Sequence, residues 1–306
     1  IRKSCVCEFY LFLSNGHHTE LMLACIYGDG EIMREYSIRH AHNFMDTTCR
    51  IVLFYTFLRY CFVFMKRYIF ILLMLLSSVA FAQPTGSGFA VVELFTSQGC
   101  GSCPAAEIVL KKEMDDAVKN NKPVYFLSFH VDYWNKYGWK DPYSSIKYSR
   151  RQNNYVSATG SNEVFTPQVF INGNTGFVGS DSKRLKIEIE KGLKTPSKQK
   201  LTVKVMQTLS DTLHLSYSAS KADANANIIV AVVQKSVTTK ITKGENIGRT
   251  LVQDNVVRLY EVYPADLKGT ILLKTNKLAL DENFQLIAFI QNKQSKKISA
   301  VTALTL

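Results

Sequence analysis

The sequence predicts an α/β domain followed by an antiparallel β-sandwich domain, and three observations support it. Between Phe89 and about Leu193, strand-like apolar runs alternate with helix-like ones. The cysteines Cys100 and Cys103 stand two residues apart where the first strand enters the first helix. After Lys194–Gln199 the helical pattern stops, and seven short β-rich runs follow.

Ahead of both domains lie two segments of different character. Residues 1–64 hold five of the seven cysteines and four of the six histidines without any periodic pattern. They read as an upstream segment translated by mistake. Cys5, Cys7, His17 and His18 match no common structural-zinc spacing. Met65 then opens "MKRYIFILLMLLSSVAFAQ", with a basic Lys66-Arg67 start and an apolar run, Tyr68–Phe81, that is short for a membrane span. Ala80-Phe81-Ala82 supplies the small-x-small site of a signal peptidase, so residues 65–82 read as a signal peptide and the mature chain as starting at Gln83. An uncleaved anchor merged with the apolar Ile51–Phe64 is the alternative. The signal reading places the protein in the periplasm or outside the cell, with no stable membrane span after cleavage. The net charge is +12, but the lysines are scattered and no basic-aromatic cluster accompanies them, which argues against a nucleic-acid partner.

The first domain, 83–193, is justified element by element. "FAVVELF" (Phe89–Phe95) has the β-branched and aromatic content of a buried strand. After Pro104, the residues Ala106, Leu110, Met114 and Ala117 recur on one helical face. "VYFLSFHV" (Val124–Val131) is a second strand, and a polar helix is expected from Ser144 onward. "PQVFING" and "GFVG" form two more strands about a turn at Asn172-Gly173-Asn174. Ser180 or Asp181 caps a last helix through "KRLKIEIEKGL". The second domain, 194–306, contains "LTVKVMQ", "TLHLSYSA", "NIIVAVVQ", "VVRLYEVY", "TILLKT", "FQLIAFIQ" and "ISAVTAL". Runs this short, separated by turn residues, point to an antiparallel sandwich.

The order β-α-β-α-β-β-α, with Cys-x-x-Cys at the first strand–helix junction, is that of a thioredoxin-like fold. At a helix N-terminus, unpaired backbone N–H groups and the helix dipole favour a thiolate on Cys100. Gly101 and Ser102 are small enough to leave its sulfur accessible. The competing reading is a structural staple, but a loop this short gives only about 2 kcal/mol by chain entropy. Thr166-Pro167, directly before a strand, occupies the place of a cis proline packed against the disulfide, with Thr166 offering its backbone to a substrate chain. His130 ends the second strand, beside the end of the first, where it could move protons or orient a thiolate, or simply hydrogen-bond its loop. Glu93 is either a buried carboxylate that accepts the Cys103 proton or an outward-facing strand residue. Trp134 and Trp139 in "DYWNKYGWKDP" either wall a substrate groove or fill the core. "GENIGR" (Gly244–Arg249) is either a charged hairpin turn or a clamp in which Arg249 pairs with a carboxylate near the site.

Five strings, "VVELFTSQGCGSCPAAE", "LSFHVDYWNKYGWKDPYSS", "RQNNYV", "VFTPQVFINGNTGFVGSD" and "GENIGRTLVQDNVVR", together resemble the secreted bacterial thioredoxin-like proteins classed as domain of unknown function 1223. The matching positions are Cys100, Cys103, His130, Asp132, Trp134, Trp139, Asp141, Thr166, Pro167, Gly179, Asp181, Glu245, Gly248 and Arg249. Ala105 departs from the pattern, where relatives often carry a second proline. The resemblance implies an exported thioredoxin-like protein and assigns no reaction. Three functions are therefore expected to compete. The first is a thiol-disulfide oxidoreductase, with no cofactor and with protein thiols or disulfides of the cell envelope as partners. In it Cys100 attacks, Cys103 resolves, Glu93 and His130 handle protons, and Thr166, Pro167 and Trp134 hold the substrate. The second is a Cu(I) protein using Cys100, Cys103 and His130, since soft thiolates suit that ion. The third is a binding module with an inert disulfide.

Overall fold

The computed structural model describes residues 6–11, 21–26, 87–160, 163–174, 176–197, 199–209, 211–275 and 278–306. The signal-type segment 65–82 and most of the upstream segment 1–64 lie outside the described residues. The chain divides into two compact units, Ile1–Phe81 and Ala82–Leu306. In the first, β1 (Val6–Leu11) and β2 (Leu21–Ile26) form an antiparallel pair with Cys7 opposite Cys25 in register.

The second unit begins with β3 (Ala90–Thr96), α1 (Cys103–Lys119) and β4 (Val124–His130). Pro104 lies in the first turn of α1, where its missing N–H costs nothing, and the helix buries Cys103, Ala106, Leu110 and Ala117. A single 3-10 turn, Asn135–Tyr137, precedes α2 (Ile146–Thr159). Ser145 caps α2 by accepting the Lys147 N–H, and Gly160 ends it at φ 67°. β5 (Gln168–Ile171) and β6 (Phe177–Val178) lead to α3 (Ser182–Lys194), whose cap is Asp181, accepting from the Arg184 N–H. There follow β7 (Leu201–Thr208), β8 (Thr212–Ala219), the long β9 (Ala226–Lys240) and β10 (Thr250–Pro264), β11 (Lys268–Lys274), β12 (Phe284–Asn292) and β13 (Ile298–Thr305). Among the described residues no helix is long and apolar enough to cross a membrane.

The strands corresponding to the sequence runs form, but their arrangement corrects the expected fold class. Instead of a thioredoxin-like α/β domain followed by a separate antiparallel β-sandwich, one mixed sheet of eight strands, ordered β13-β12-β9-β10-β4-β3-β5-β6, runs through both halves. In this unit β7, β8 and β11 form a separate sheet, in the order β11-β8-β7. The physical reason lies at β4. Its free edge accepts β10 in parallel at Val256↔Ser128, and the Ser128 hydroxyl donates to the Asp254 carbonyl at 2.9 Å. β10 then pairs antiparallel with β9, and β9 with β12. Central strands of such a sheet are covered on both faces, and β12 and the first half of β9, residues 226–233, are buried almost continuously rather than at alternate positions.

Three clusters fill the layers. On one face, α1 and α3 cover Val92, Leu94, Phe126 and Val169. The three-stranded sheet packs Leu213, Leu215 and Ile271 against Ile228, Val230, Val232 and Leu286. On the other face, α2 brings Tyr148, Tyr155 and Val156 over Val91, Phe95, Phe129, Val233 and Phe289. This last cluster draws on both halves of the chain.

Candidate functional site

Cys100 and Cys103 are joined as a disulfide, with their Cα atoms 5.5 Å apart, at the start of α1. The Cys103 N–H donates to the Cys100 carbonyl, and the Ser102 hydroxyl lies 3.4 Å from the Cys100 sulfur. The Thr166–Pro167 peptide bond is cis, and the Thr166 carbonyl oxygen lies 3.9 Å from the Cys100 sulfur. The Trp134 indole N–H donates to the Thr166 hydroxyl at 2.7 Å, which fixes the ring beside this strand end. These residues, expected together from sequence, are together.

One expectation about them is not met. Gly101 and Ser102 do not leave the sulfur open, because Cys100 and Cys103 are both 0% exposed. The tip of the β9–β10 hairpin, far off in sequence, is bonded to the backbone of the cysteine loop. Glu245 accepts the Gly101 N–H at 2.7 Å, and the Asn246 amide donates to the carbonyls of Gln98 and Cys100, both at 2.9 Å. A Cβ on residue 101 would stand 2.7 Å from the Glu245 carboxylate, so the glycine makes this approach possible. Among the described residues Arg249 is not paired with a carboxylate. It donates to the Asn246 side chain and braces the residue that makes the contact.

Beneath the disulfide lies a polar network on the α1 side of the sheet. Side chains alternate along β3, so Leu94 and Thr96 face α1 while Glu93 and Phe95 face α2. Thr96 is paired with His130 across the parallel β3–β4 ladder, which places both on the α1 side. Glu107, one turn along α1 from Cys103, accepts from the Thr96 hydroxyl at 2.9 Å and from the Gln253 amide at 2.7 Å. The Gln98 amide donates to Gln253 and Thr239 and accepts the Trp139 indole N–H, tying the loop before Cys100 to the hairpin. His130 Nδ1 lies 2.7 Å from Asp141, which also accepts the backbone N–H groups of Gln98 and Tyr143.

The electrostatics follow from this packing. Burial pulls the His130 imidazole down, but the adjacent Asp141 carboxylate outweighs it and leaves His130 above its ordinary value. Burial pushes Asp141 up, and His130 with the two backbone donors brings it below the usual carboxylate range. Among the described residues no cation contacts Glu107 directly, and burial raises its carboxyl, with His130 opposing and Asp141 adding to the effect. His130 Nε2 is buried without a hydrogen-bond partner.

Glu93 has a different setting from the one expected. It is buried on the α2 face, where Arg151 grips both carboxylate oxygens at 2.6 and 2.9 Å and the Tyr155 hydroxyl donates to it. The guanidinium is satisfied further by Tyr260 and Gln291. The sheet therefore stands between Glu93 and α1, and Glu93 is committed to an ion pair. Glu107 went unnoticed in the sequence, although a signal exists. Four residues after Cys103, it falls on the helical face that Cys103 and Leu110 bury. Asp132 accepts from the Ser149 hydroxyl. For Cu(I), His130 would have to bind through Nε2, and among the described residues no group of three or more His, Cys, Asp or Glu side chains is placed to hold a metal ion.

The family profile described as "Protein of unknown function (DUF1223)" matches residues 91–291. The crystal structure of a protein from Agrobacterium tumefaciens is similar over 71% of this chain and 93% of its own, at 26% identity and a TM-score of 0.53. A β-glucosidase from Kluyveromyces marxianus is aligned over 36% of this chain and 14% of its own, at 12% identity and a TM-score of 0.18, too low to carry any argument. No curated protein matches the sequence.

Proposed function

The chain belongs to the DUF1223 family, proteins of unknown function, and on that premise we propose that it is an exported thiol-disulfide oxidoreductase whose working pair is Cys100–Cys103. The observation that carries this reading is a disulfide at the N-terminus of α1 with the Thr166 carbonyl against its first sulfur. A helix N-terminus lowers the cost of a thiolate on Cys100. A carbonyl at that distance, on a strand end, is placed to receive the backbone of a substrate chain. The partners are protein thiols or disulfides of the cell envelope, in line with the signal-type segment 65–82. Cys100 forms the mixed disulfide and Cys103 resolves it. Because both sulfurs are buried, attack requires the hairpin tip or Trp134 to move aside first.

The test is trapping. Cys103→Ser accumulates mixed disulfides through Cys100, while Cys100→Ser accumulates few and the wild type almost none. Alkylation and mass measurement across glutathione mixtures then give the reduction potential. If neither variant traps a partner, and the pair stays oxidised across those mixtures, the proposal fails and the disulfide is a staple.

A further inference from the structure

We propose that Glu107 is the acid–base residue of Cys103, taking the proton of its thiol when the disulfide closes and returning it when the disulfide opens. This rests on the oxidoreductase reading above and assigns a step within it.

Cys103 and Glu107 are four residues apart on α1, a spacing that brings Cβ atoms to about 5–6 Å on one face. That face is turned to the sheet, since Cys103, Ala106 and Leu110 are all buried on it. Thr96 and Gln253 both bond Glu107 Oε1, and among the described residues Oε2 accepts no hydrogen bond. The carboxyl is thus oriented through one oxygen and free at the other. Its charged neighbours are His130 on β4 and Asp141 in the following loop, and Arg258 on β10 acts on His130. Among the described residues no lysine or arginine contacts Glu107. Glu107 is half-buried, and its packing between α1 and the sheet raises its carboxyl, which brings it closer in proton affinity to a thiol.

A second observation points to the same place. His130 Nε2 is the buried side-chain atom left without a partner among the described residues, and its ring stands on the Glu107 side of the sheet. The α1 side of the sheet below the disulfide therefore gathers Glu107, His130 and Asp141, whereas the opposite face holds the closed Glu93–Arg151 pair.

Cys100 first carries the substrate as a mixed disulfide. The Cys103 S–H proton passes to the Glu107 carboxylate, and the resulting thiolate attacks the Cys100 sulfur. The Cys100–substrate bond breaks, the substrate sulfur leaves as a thiolate, and Glu107 holds the proton. Two electrons have then passed from the dithiol of the chain to the disulfide of the substrate. Opening runs the same steps in reverse, with a substrate thiolate as the nucleophile.

The experiment starts from the reduced full-length protein and uses oxidised glutathione as the probe, with the species resolved by mass after acid quenching. The wild type passes to the internal disulfide with little glutathionylated Cys100. Glu107→Gln, which keeps an oxygen for Thr96, accumulates that adduct and resolves it about 10²-fold more slowly near neutral pH. The deficit closes above about pH 8.5, where a free thiol ionises unaided, and Glu107→Asp recovers part of the rate. Resolution of Glu107→Gln at the wild-type rate throughout overturns the assignment and leaves the oxidoreductase reading standing. A wild type that exchanges with no disulfide defeats that reading itself. If Glu107→Gln does not fold, infrared difference spectra of the wild type decide. A protonated-carboxyl band must change between the oxidised and reduced forms, and its absence overturns the assignment.

Discussion

His130 and Asp141 show how far a single pair of residues couples the site to pH. The folded imidazole titrates above its free value near pH 6.5, so its contribution is complete below that pH and is lost as pH rises through the folded value. Asp141, held low, contributes above about pH 3.9, and that contribution is lost as pH falls through its folded value. Denaturant midpoints measured from about pH 5 to pH 9 should fall with rising pH in the wild type. Asp141→Asn should flatten that slope, and an unchanged slope would place its origin elsewhere. His130 was legible in the sequence because a histidine at the end of the strand beside the cysteine strand has few places to go. Asp141 was legible as a motif position but not as the partner of His130. The two lie 11 positions apart along a loop that holds only a single 3-10 turn, and no periodicity measures such a path. Glu93 was correctly placed as a candidate for burial, yet which face of β3 it occupies depends on where α1 and α2 dock.

At the level of elements, the β9–β10 hairpin is the piece that sequence reading could identify but not place. "GENIGR" was legible as a hairpin turn, and the alternative of a clamp named Arg249, whereas Glu245 and Asn246 make the contacts to the cysteine loop. Glycines at 244 and 248, with φ of 77° and 81°, shape the tip that delivers them. Removing the Asn246 amide leaves the Gln98 carbonyl without its donor, while the Cys100 carbonyl keeps the Cys103 N–H, a loss of about 1–3 kcal/mol from the closed arrangement. Asn246→Ala should therefore speed reduction of the disulfide by dithiothreitol by at least about fivefold, the equivalent of ~1 kcal/mol. An equal rate in the variant would mean that the tip does not limit access. The strands themselves were readable from their β-branched runs. Their partners were not, although the unbroken apolar stretches of β9 and β12 fit strands covered on both faces better than sandwich strands.

Across the whole molecule, the eight-stranded sheet makes the two halves dependent on each other. Residues 87–194 expressed alone should show no cooperative unfolding transition, because they lack β10 along β4 and the apolar residues of β9 and β12 that complete the α2 face. A sharp two-state transition in that fragment would show that the first half folds unaided. The same interdependence gives the cysteines a history. Gly101 and the carboxylate that closes over it are 144 residues apart. At ~5–20 residues per second of synthesis, the second emerges about 7–29 s after the first. For that interval the two sulfurs belong to an unfinished chain, open to whatever oxidant it meets. Closure is the later event, and the protein passes once through an uncovered stage on the way to its covered one.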